Sequence, residues 1–414
     1  MAIQDNASLA LIPSGYKSGK LYSVIPDSGN GDFTHTRGST ATRVNAAGLI
    51  ETMASGVPRL DYPLVDGVVQ SCPALLLEPQ RTNMLSYSED FSQSTRWLIA
   101  SMTVTTNNTT APDGNQTADK IQATGAGSIR TNNSYTVTSG YSFSIFVKKG
   151  NSRYVTLRSF AFTTSAIIGF DLDNETAQTG GVIEKYPNDW YRLSISKDVS
   201  SDADKNGYFY IYLPNSLGST TSVSGNYAYF WGAQLEDADY PTSYIYVPGF
   251  SAVTRNADVC NSAGTTAEFN DTESSWFVEL QGLAEDNTNK YITISDGGGS
   301  PYTNSLVIQY RNNGTLRIFH NGLDFADGIF IGGSSFDLTE NHKIAIRFKQ
   351  NDMAVYIDGV AQSLSGSFVY QTISGLDTLR FEQPNGGNAF YGKVKQLLVF
   401  KTALSDSDLA TLTS

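Results

Sequence analysis

Cysteine, histidine, charge and long apolar runs are all scarce in this 414-residue chain. The two cysteines, Cys72 and Cys260, are too few for a disulfide framework or a thiolate metal site. The histidines, His35, His320 and His342, are scattered, and none sits with a serine on a sharp turn, so no nucleophile–base–orienter set is visible. No G-x-S-x-G motif is present, and "SDGGGSPY" (295–302) lacks the lysine and following helix of a phosphate loop. Only 16% of residues are charged, the formal net charge is −12, and there is no basic run, which argues against nucleic acid as a partner. No stretch approaches the roughly 20 apolar residues that span a bilayer, so no membrane insertion is expected. The start, "MAIQDNASLALIPSG", has no basic region and no long apolar core, so the expectation is synthesis in a cytoplasm without a secretory signal. The sequons at Asn107, Asn115 and Asn270 then read as ordinary loop chemistry. No cofactor and no metal are expected.

Ser, Thr, Asn, Gly and Tyr are abundant instead, with 23 tyrosines. Thr and Tyr fit a pleated surface, and Asn and Gly tolerate turn backbones, so the composition suits strands and tight turns. In "KIAIRFKQNDMAVYIDGVAQS" (343–363), Ile344, Ile346 and Phe348 alternate with Lys343, Ala345, Arg347 and Lys349. Asp358–Gly359 follows as a two-residue hairpin turn. "YRNNGTLRIFHNGLDF" (310–325) carries two Asn-Gly turns, and "FDLDNETAQTGGVI" (170–183) reads as strand, turn, strand. The clear helix signal is at the end, where Ser405 can cap "DSDLATL" with Asp406 and Asp408 in the first turn. The fold class expected is all-β: two antiparallel sandwiches after an extended N-terminal segment. Residues 1–85 form that segment, 86–250 the first sandwich, 251–264 a linker and 265–414 the second sandwich. The first segment shows little core of its own, and its apolar runs ("SLALI", "LLL") must bury against something.

The segments "GDFTHTRGSTATRVNAAGLIE" (31–51), "RLDYP" (59–63), "CPALLLEPQRTNML" (72–85), "SYSEDFS", "FSIFVKKG" (143–150), "DWYRLSIS" (189–196), "FWGAQLEDADYPTSYI" and "SAVTRNADVC" follow one another in order along the chain. Together they resemble a family of tailed-phage virion proteins known as head spike fibre proteins. The ordered matches span about residues 13–260. The middle block is similar to the jelly rolls of carbohydrate-binding modules, and the last block looks like a concanavalin A/laminin-G-type sandwich. The resemblance implies a non-enzymatic surface appendage of a virion, on head or tail. It implies a homotrimer held to other virion proteins by its N-terminal segment and touching host-surface or mucin glycans.

Four tryptophans and a carboxylate trio are the chemistry-bearing candidates. Asp171, Asp173 and Glu175 recur at period two in "FDLDNE", a spacing that puts three carboxylates on one strand face. If the protein were an enzyme, these would be its acid and nucleophile or base; the same oxygens could hold Ca²⁺, and "DNET" is also an ordinary turn. For glycan stacking the candidates are Trp97, in the polar approach "SQSTRWLIAS", and the loop residue Tyr302. Trp190 and Trp276 sit at strand starts, and Trp231 shares a phase with Tyr229 and Leu235 in "YFWGAQLEDADYPTSYI" (229–245), which marks an inward face, with Gln234 and Glu236 in the other phase. Cys72 and Cys260 flank the middle sandwich and could meet, but a reducing site of synthesis favours two buried thiols. The function expected is a virion structural protein, a head or tail fibre displaying lectin-like domains for adhesion by avidity. The alternatives are a polysaccharide-degrading tail enzyme and a purely structural capsid decoration or adaptor protein.

Overall fold

The computed structural model describes residues 3–285, 287–298, 303–320, 329–331, 337–364 and 373–414. Strands dominate it, and the α-helix among the described residues is Asp406–Thr413, so the chain is all-β. Two antiparallel sandwiches make up its body.

The middle sandwich has one sheet ordered Gly181–Tyr186, Trp190–Asp198, Gly140–Lys149, Tyr227–Glu236. Its other sheet contains Ile167–Asp171, Tyr154–Phe160 and Asn206–Tyr212. The long strand Ala118–Thr131 serves both. It pairs with Tyr227–Glu236 through Asp119 to Gln122, and with Asn206–Tyr212 through Ile129 and Arg130. Alternation decides which residues enter the core: Val155, Leu157, Phe209, Ile211 and Ile129 point inward and are essentially inaccessible, packing against Phe143, Ile145 and Phe230.

The C-terminal sandwich pairs a sheet containing Ala354–Ile357, His342–Lys349, Glu273–Gly282 and Gly392–Phe400 with a second sheet built from Leu316–His320, Ser305–Tyr310, Lys290–Ser295 and Thr378–Arg380. Ile344, Ile346 and Phe348 face the core as their alternation requires. The hairpin at Asp358–Gly359 has φ of 49° and 81°, the left-handed values that its Asp-Gly sequence tolerates. Ser405 caps the helix through a capping box with Asp408. The helix then lays Leu409 and Leu412 on Ala345, Phe277 and Leu398, so it covers the outer face of this sheet. The second Asn-Gly turn, Asn321–Gly322, lies outside the described residues.

The first 85 residues are not an extended, irregular arm. Leu9–Leu11 pairs with Gly392–Phe400, Ala74–Leu77 pairs with the same strand, and Arg59–Asp61 continues the sheet. Leu9, Leu11, Leu75 and Leu77 thus complete the core of the C-terminal sandwich. The runs "SLALI" and "LLL" find their partner in the same chain, more than three hundred residues away. Strand-length apolar runs satisfy any sheet edge, and nothing in their pattern names which one.

A buried ionic joint links the N-terminal segment to the connector after the middle sandwich. The Asp258 carboxylate accepts from Arg37 at 2.9 Å, from the Glu78 backbone N–H at 3.0 Å, and from Arg59; it also lies 3.2 Å from His35 Nε2. Glu78 meets Arg255 at 2.7 Å and also pairs with Arg59, and it accepts from the Ser243 N–H and hydroxyl at 2.7 and 2.6 Å. These charged side chains are 0–2% exposed. Burial alone would push Glu78 up, but the Arg255 and Arg59 guanidiniums reverse it and hold the carboxyl at about 2. Asp258 is depressed in the same way, against its burial, first by Arg59.

Candidate functional site

The carboxylate trio is a turn. Glu175 has φ of 55°, which breaks strand phase, so the three groups do not share a face. Asp171 closes the turn by accepting from the backbone N–H groups of Asp173 and Asn174 at 3.0 and 3.2 Å. Each member also has its own cation: Arg153 donates to Asp171 at 2.6 and 3.0 Å, Lys149 pairs with Asp173, and Lys185 reaches Glu175 at 2.5 Å. The Arg153 hydrogen bonds hold Asp171 at about 2, and Lys185 with the Tyr191 hydroxyl lowers Glu175. A general acid needs a raised carboxyl, and neither Asp171 nor Glu175 is raised. No group of three His, Cys, Asp or Glu able to hold a metal occurs among the described residues.

The tryptophans are walled in. Trp97, Trp190, Trp231 and Trp276 are each at most 2% exposed. Trp97 packs on Phe91 with ring centres 4.9 Å apart, so it is a core residue and not a stacking platform. Tyr302 lies outside the described residues. Trp231 does not share an inward face with Leu235. A bulge at Gly232 (φ 62°) shifts the register against Gly140–Lys149, so Phe230 and Leu235 face the sandwich core. Trp231 instead joins Phe146, Trp190, Tyr244 and Ile50 in a separate cluster. Gln234 and Glu236 are fully buried there as well, accepting from the backbone of Ile245 and Thr242 at 2.6 and 2.9 Å. Cys72 is exposed and Cys260 buried; both are free, so only one of the two expected buried thiols is buried.

A cavity of about 460 Å³ lies where the N-terminal segment, the middle sandwich and Lys393 of the C-terminal sandwich meet. Glu175 is on its wall, but its charges are largely spent internally: Lys393 pairs with Asp61 at 2.9 Å and Arg43 with Glu51 at 3.0 Å. A neighbouring cavity of about 290 Å³ holds Glu89, Asp113, Trp231 and Tyr244. Burial pushes Glu89 up to about 7, and its carboxyl accepts from the Tyr244 hydroxyl at 3.0 Å.

The open chemistry is on the outer face of the middle sandwich. Inward packing of Leu157, Ile211 and Ile129 turns the alternate residues outward, and the register lines them up across strands. Arg158, Tyr210 and Arg130 stand directly opposite one another on three adjacent strands. Ile167 and Leu98 extend this row at its two ends, 47% and 39% exposed. Phe160, 42% exposed, stands opposite Tyr208 in the next row. The Arg130 guanidinium lies 4.8 Å from the Tyr208 ring centre and 5.6 Å from that of Tyr210. Arg158 lies 4.5 Å from Phe160 and 5.7 Å from Tyr210. Tyr210 and Tyr212 are parallel within 2° at 5.9 Å, with Tyr212 buried and Tyr210 half-buried. One side is walled by the loop after residue 213, where a Cβ on Gly169 would come within 2.2 Å of the Gly218 nitrogen. The alternating tyrosines of "YFYIY" (208–212) were a legible signal; the arginines beside them, on other strands, were not.

A family model described as the concanavalin A-like lectin/glucanases superfamily matches residues 262–410. The C-terminal sandwich is therefore a concanavalin A-like domain. No curated protein matches the chain. Among solved structures, the CBM40 module of a Ruminococcus gnavus IT-sialidase bound to alpha2,3 sialyllactose is 12% identical over 35% of this chain and 84% of its own, with a TM-score of 0.29. A heptameric SAP-like pentraxin from Limulus polyphemus is 16% identical over 34% of this chain and 70% of its own, with a TM-score of 0.28. A leech intramolecular trans-sialidase is 14% identical over 35% and 23%, with a TM-score of 0.29. Likenesses this distant transfer no ligand and no activity to this chain.

Proposed function

We propose that the protein is a non-catalytic carbohydrate-binding protein whose site is the outer face of the middle sandwich. The observation that carries this is the row Arg158–Tyr210–Arg130 with Tyr208 and Phe160 beside it, a half-buried set of aromatic rings and donors on one sheet face, with Phe160 exposed. Sugar rings offer C–H faces to aromatic side chains and hydroxyls to forked donors, and a β-sheet fixes both without loop rearrangement. The concanavalin A-like domain at residues 262–410 belongs to a fold that lectins share with glucanases, which agrees with the reading without naming a ligand.

The finer reading is a head or tail fibre of a tailed phage, rooted in the resemblance of residues 13–260 to head spike fibre proteins. In it the chain forms a trimer on the virion surface and holds host or mucin glycans by avidity. The test is a glycan array probed with the full chain and with Tyr210→Ala. Binding that the variant loses supports the reading, and no binding across the array removes it. Imaging of whole particles decides the virion placement and the copy number.

A further inference from the structure

We infer that this outer face takes an acidic glycan chain, with Arg130 and Arg158 holding its carboxylate or sulfate groups and Tyr208, Tyr210 and Phe160 supporting its rings. The inference rests on the carbohydrate-binding reading above and names its ligand class.

Charge carries the first part of the argument. In a chain of net charge −12, the face formed by these rows bears two guanidiniums and no carboxylate. Some surface arginines are compensated, Arg43 by Glu51, Arg153 by Asp171, and Arg347 by Asp352 and Asp406, while Arg81 and Arg96 lie singly on Tyr240 and Phe250 with no ion pair among the described residues. Arg130 and Arg158 have no such ion pair among the described residues. Two cations side by side on one face of an acidic protein, with no carboxylate between them, are free to meet an anion from outside.

Geometry carries the second. Cation–π contact holds each guanidinium against its rings, Arg130 at Tyr208 and Tyr210 and Arg158 at Phe160 and Tyr210. Arg158 Nε is buried without a hydrogen-bond partner, which leaves the terminal N–H groups of Arg158 to meet a ligand, and Arg130 donates to the Thr131 carbonyl at 2.7 Å with the rest of its fork unspent. A held, planar fork is the geometry that carboxylate and sulfate oxygens accept two at a time.

Shape carries the third. The row from Ile167 to Leu98 crosses five strands, roughly 19 Å at the usual strand spacing, and the loop with Leu217 walls one side. An open trough of this kind fits a length of extended chain better than one sugar in a closed pocket. Single-stranded nucleic acid also offers rings and anions, but the net charge of −12 and the absence of any basic run disfavour a polyanion that dense.

The experiment measures binding of the full chain to polygalacturonate, dextran sulfate, neutral dextran and a single-stranded oligonucleotide. The chain is compared with Arg158→Gln, Arg130→Gln, Arg158→Lys and Tyr210→Ala, each checked by thermal melting. The expected result is that one or both acidic polysaccharides bind on the order of tenfold tighter than dextran. The two arms tell carboxylate from sulfate. The preference should weaken with salt, vanish in the Gln variants and fall in Arg158→Lys, which keeps the charge but not the fork. Equal binding of neutral and acidic chains, unchanged by the arginine variants, overturns the acidic class and leaves the carbohydrate reading standing. Tighter binding of the oligonucleotide overturns it in favour of nucleic acid. No binding of any polymer that depends on Tyr210 overturns both.

Discussion

Arginine does opposite work in two regions of this molecule. In the joint between the N-terminal segment and the connector, Arg37, Arg59 and Arg255 are fully buried and meet Glu78 and Asp258. On the outer face of the middle sandwich, Arg130 and Arg158 lie on aromatic rings and meet no carboxylate. The first arrangement closes its charge internally and therefore holds structure. The second leaves its charge open and is therefore available to a ligand. Residue type alone does not separate the two; the partners do.

The comparison breaks most readily at the joint. Asp258→Ala leaves three cationic or titratable neighbours without their acceptor, and the expected cost is roughly 3–5 kcal/mol of folding stability, read as a lower urea midpoint. A loss well under 1 kcal/mol would show that the joint is not tightly closed. Acid attacks the same place. Glu78 at about 2 and the depressed Asp258 lie below their unfolded values near 4. A folded value below the unfolded one means the stabilisation is complete above the unfolded value and is lost as pH falls through the folded one. Stability should therefore drop from about pH 4.5 toward pH 2, and denaturant midpoints across that window measure it.

At the face the effects move to binding. Tyr210→Ala should weaken a bound glycan roughly tenfold, about 1.4 kcal/mol, while leaving the melting temperature nearly unchanged, because the residue lies outside the core. A large fall in melting temperature would make the face structural like the joint. Smaller still is the effect expected at the carboxylate turn. Asp171→Asn and Glu175→Gln should change neither glycan binding nor the absence of reducing ends released from polysaccharide, since both groups are committed to Arg153 and Lys185. Reducing ends that appear with the native chain and vanish in either variant would reinstate hydrolysis. The smallest signal is in thiol labelling: Cys72 should react at once and Cys260 only after unfolding, since burial both hides its thiol and raises its pKa.

Local chemistry was readable from the sequence, and long-range pairing was not. The Asp358–Gly359 hairpin, the Ser405 cap and the turn after Asp171 each depend on residues within a few positions, so composition and spacing disclose them. The all-β class follows from the same local signals. Trp231 was misplaced because one bulge residue, Gly232, reverses the phase on which alternation depends. Leu9–Leu11 and Ala74–Leu77 were misplaced because the strand that accepts them is at the far end of the chain. The face was hidden for a similar reason: Arg130, Arg158 and Tyr210 become neighbours only through strand register. Segments 31–51, 59–63, 72–85 and 251–260 supply His35, Arg37, Arg59, Glu78, Arg255 and Asp258. What those segments mark in this chain is a joint more than a ligand site.

The pairing of Leu9–Leu11 with Gly392–Phe400 has a mechanical consequence. The strands are antiparallel, with Leu9 opposite Val399 and Leu11 opposite Leu397. A pull applied before Leu9 and after Phe400 would meet the pair at one end and open it like a zipper, one hydrogen bond at a time. The same bonds loaded along their length would resist together. A tether at either end alone sends no tension across this seam, so the fold tolerates drag from one anchor far better than stretching between two.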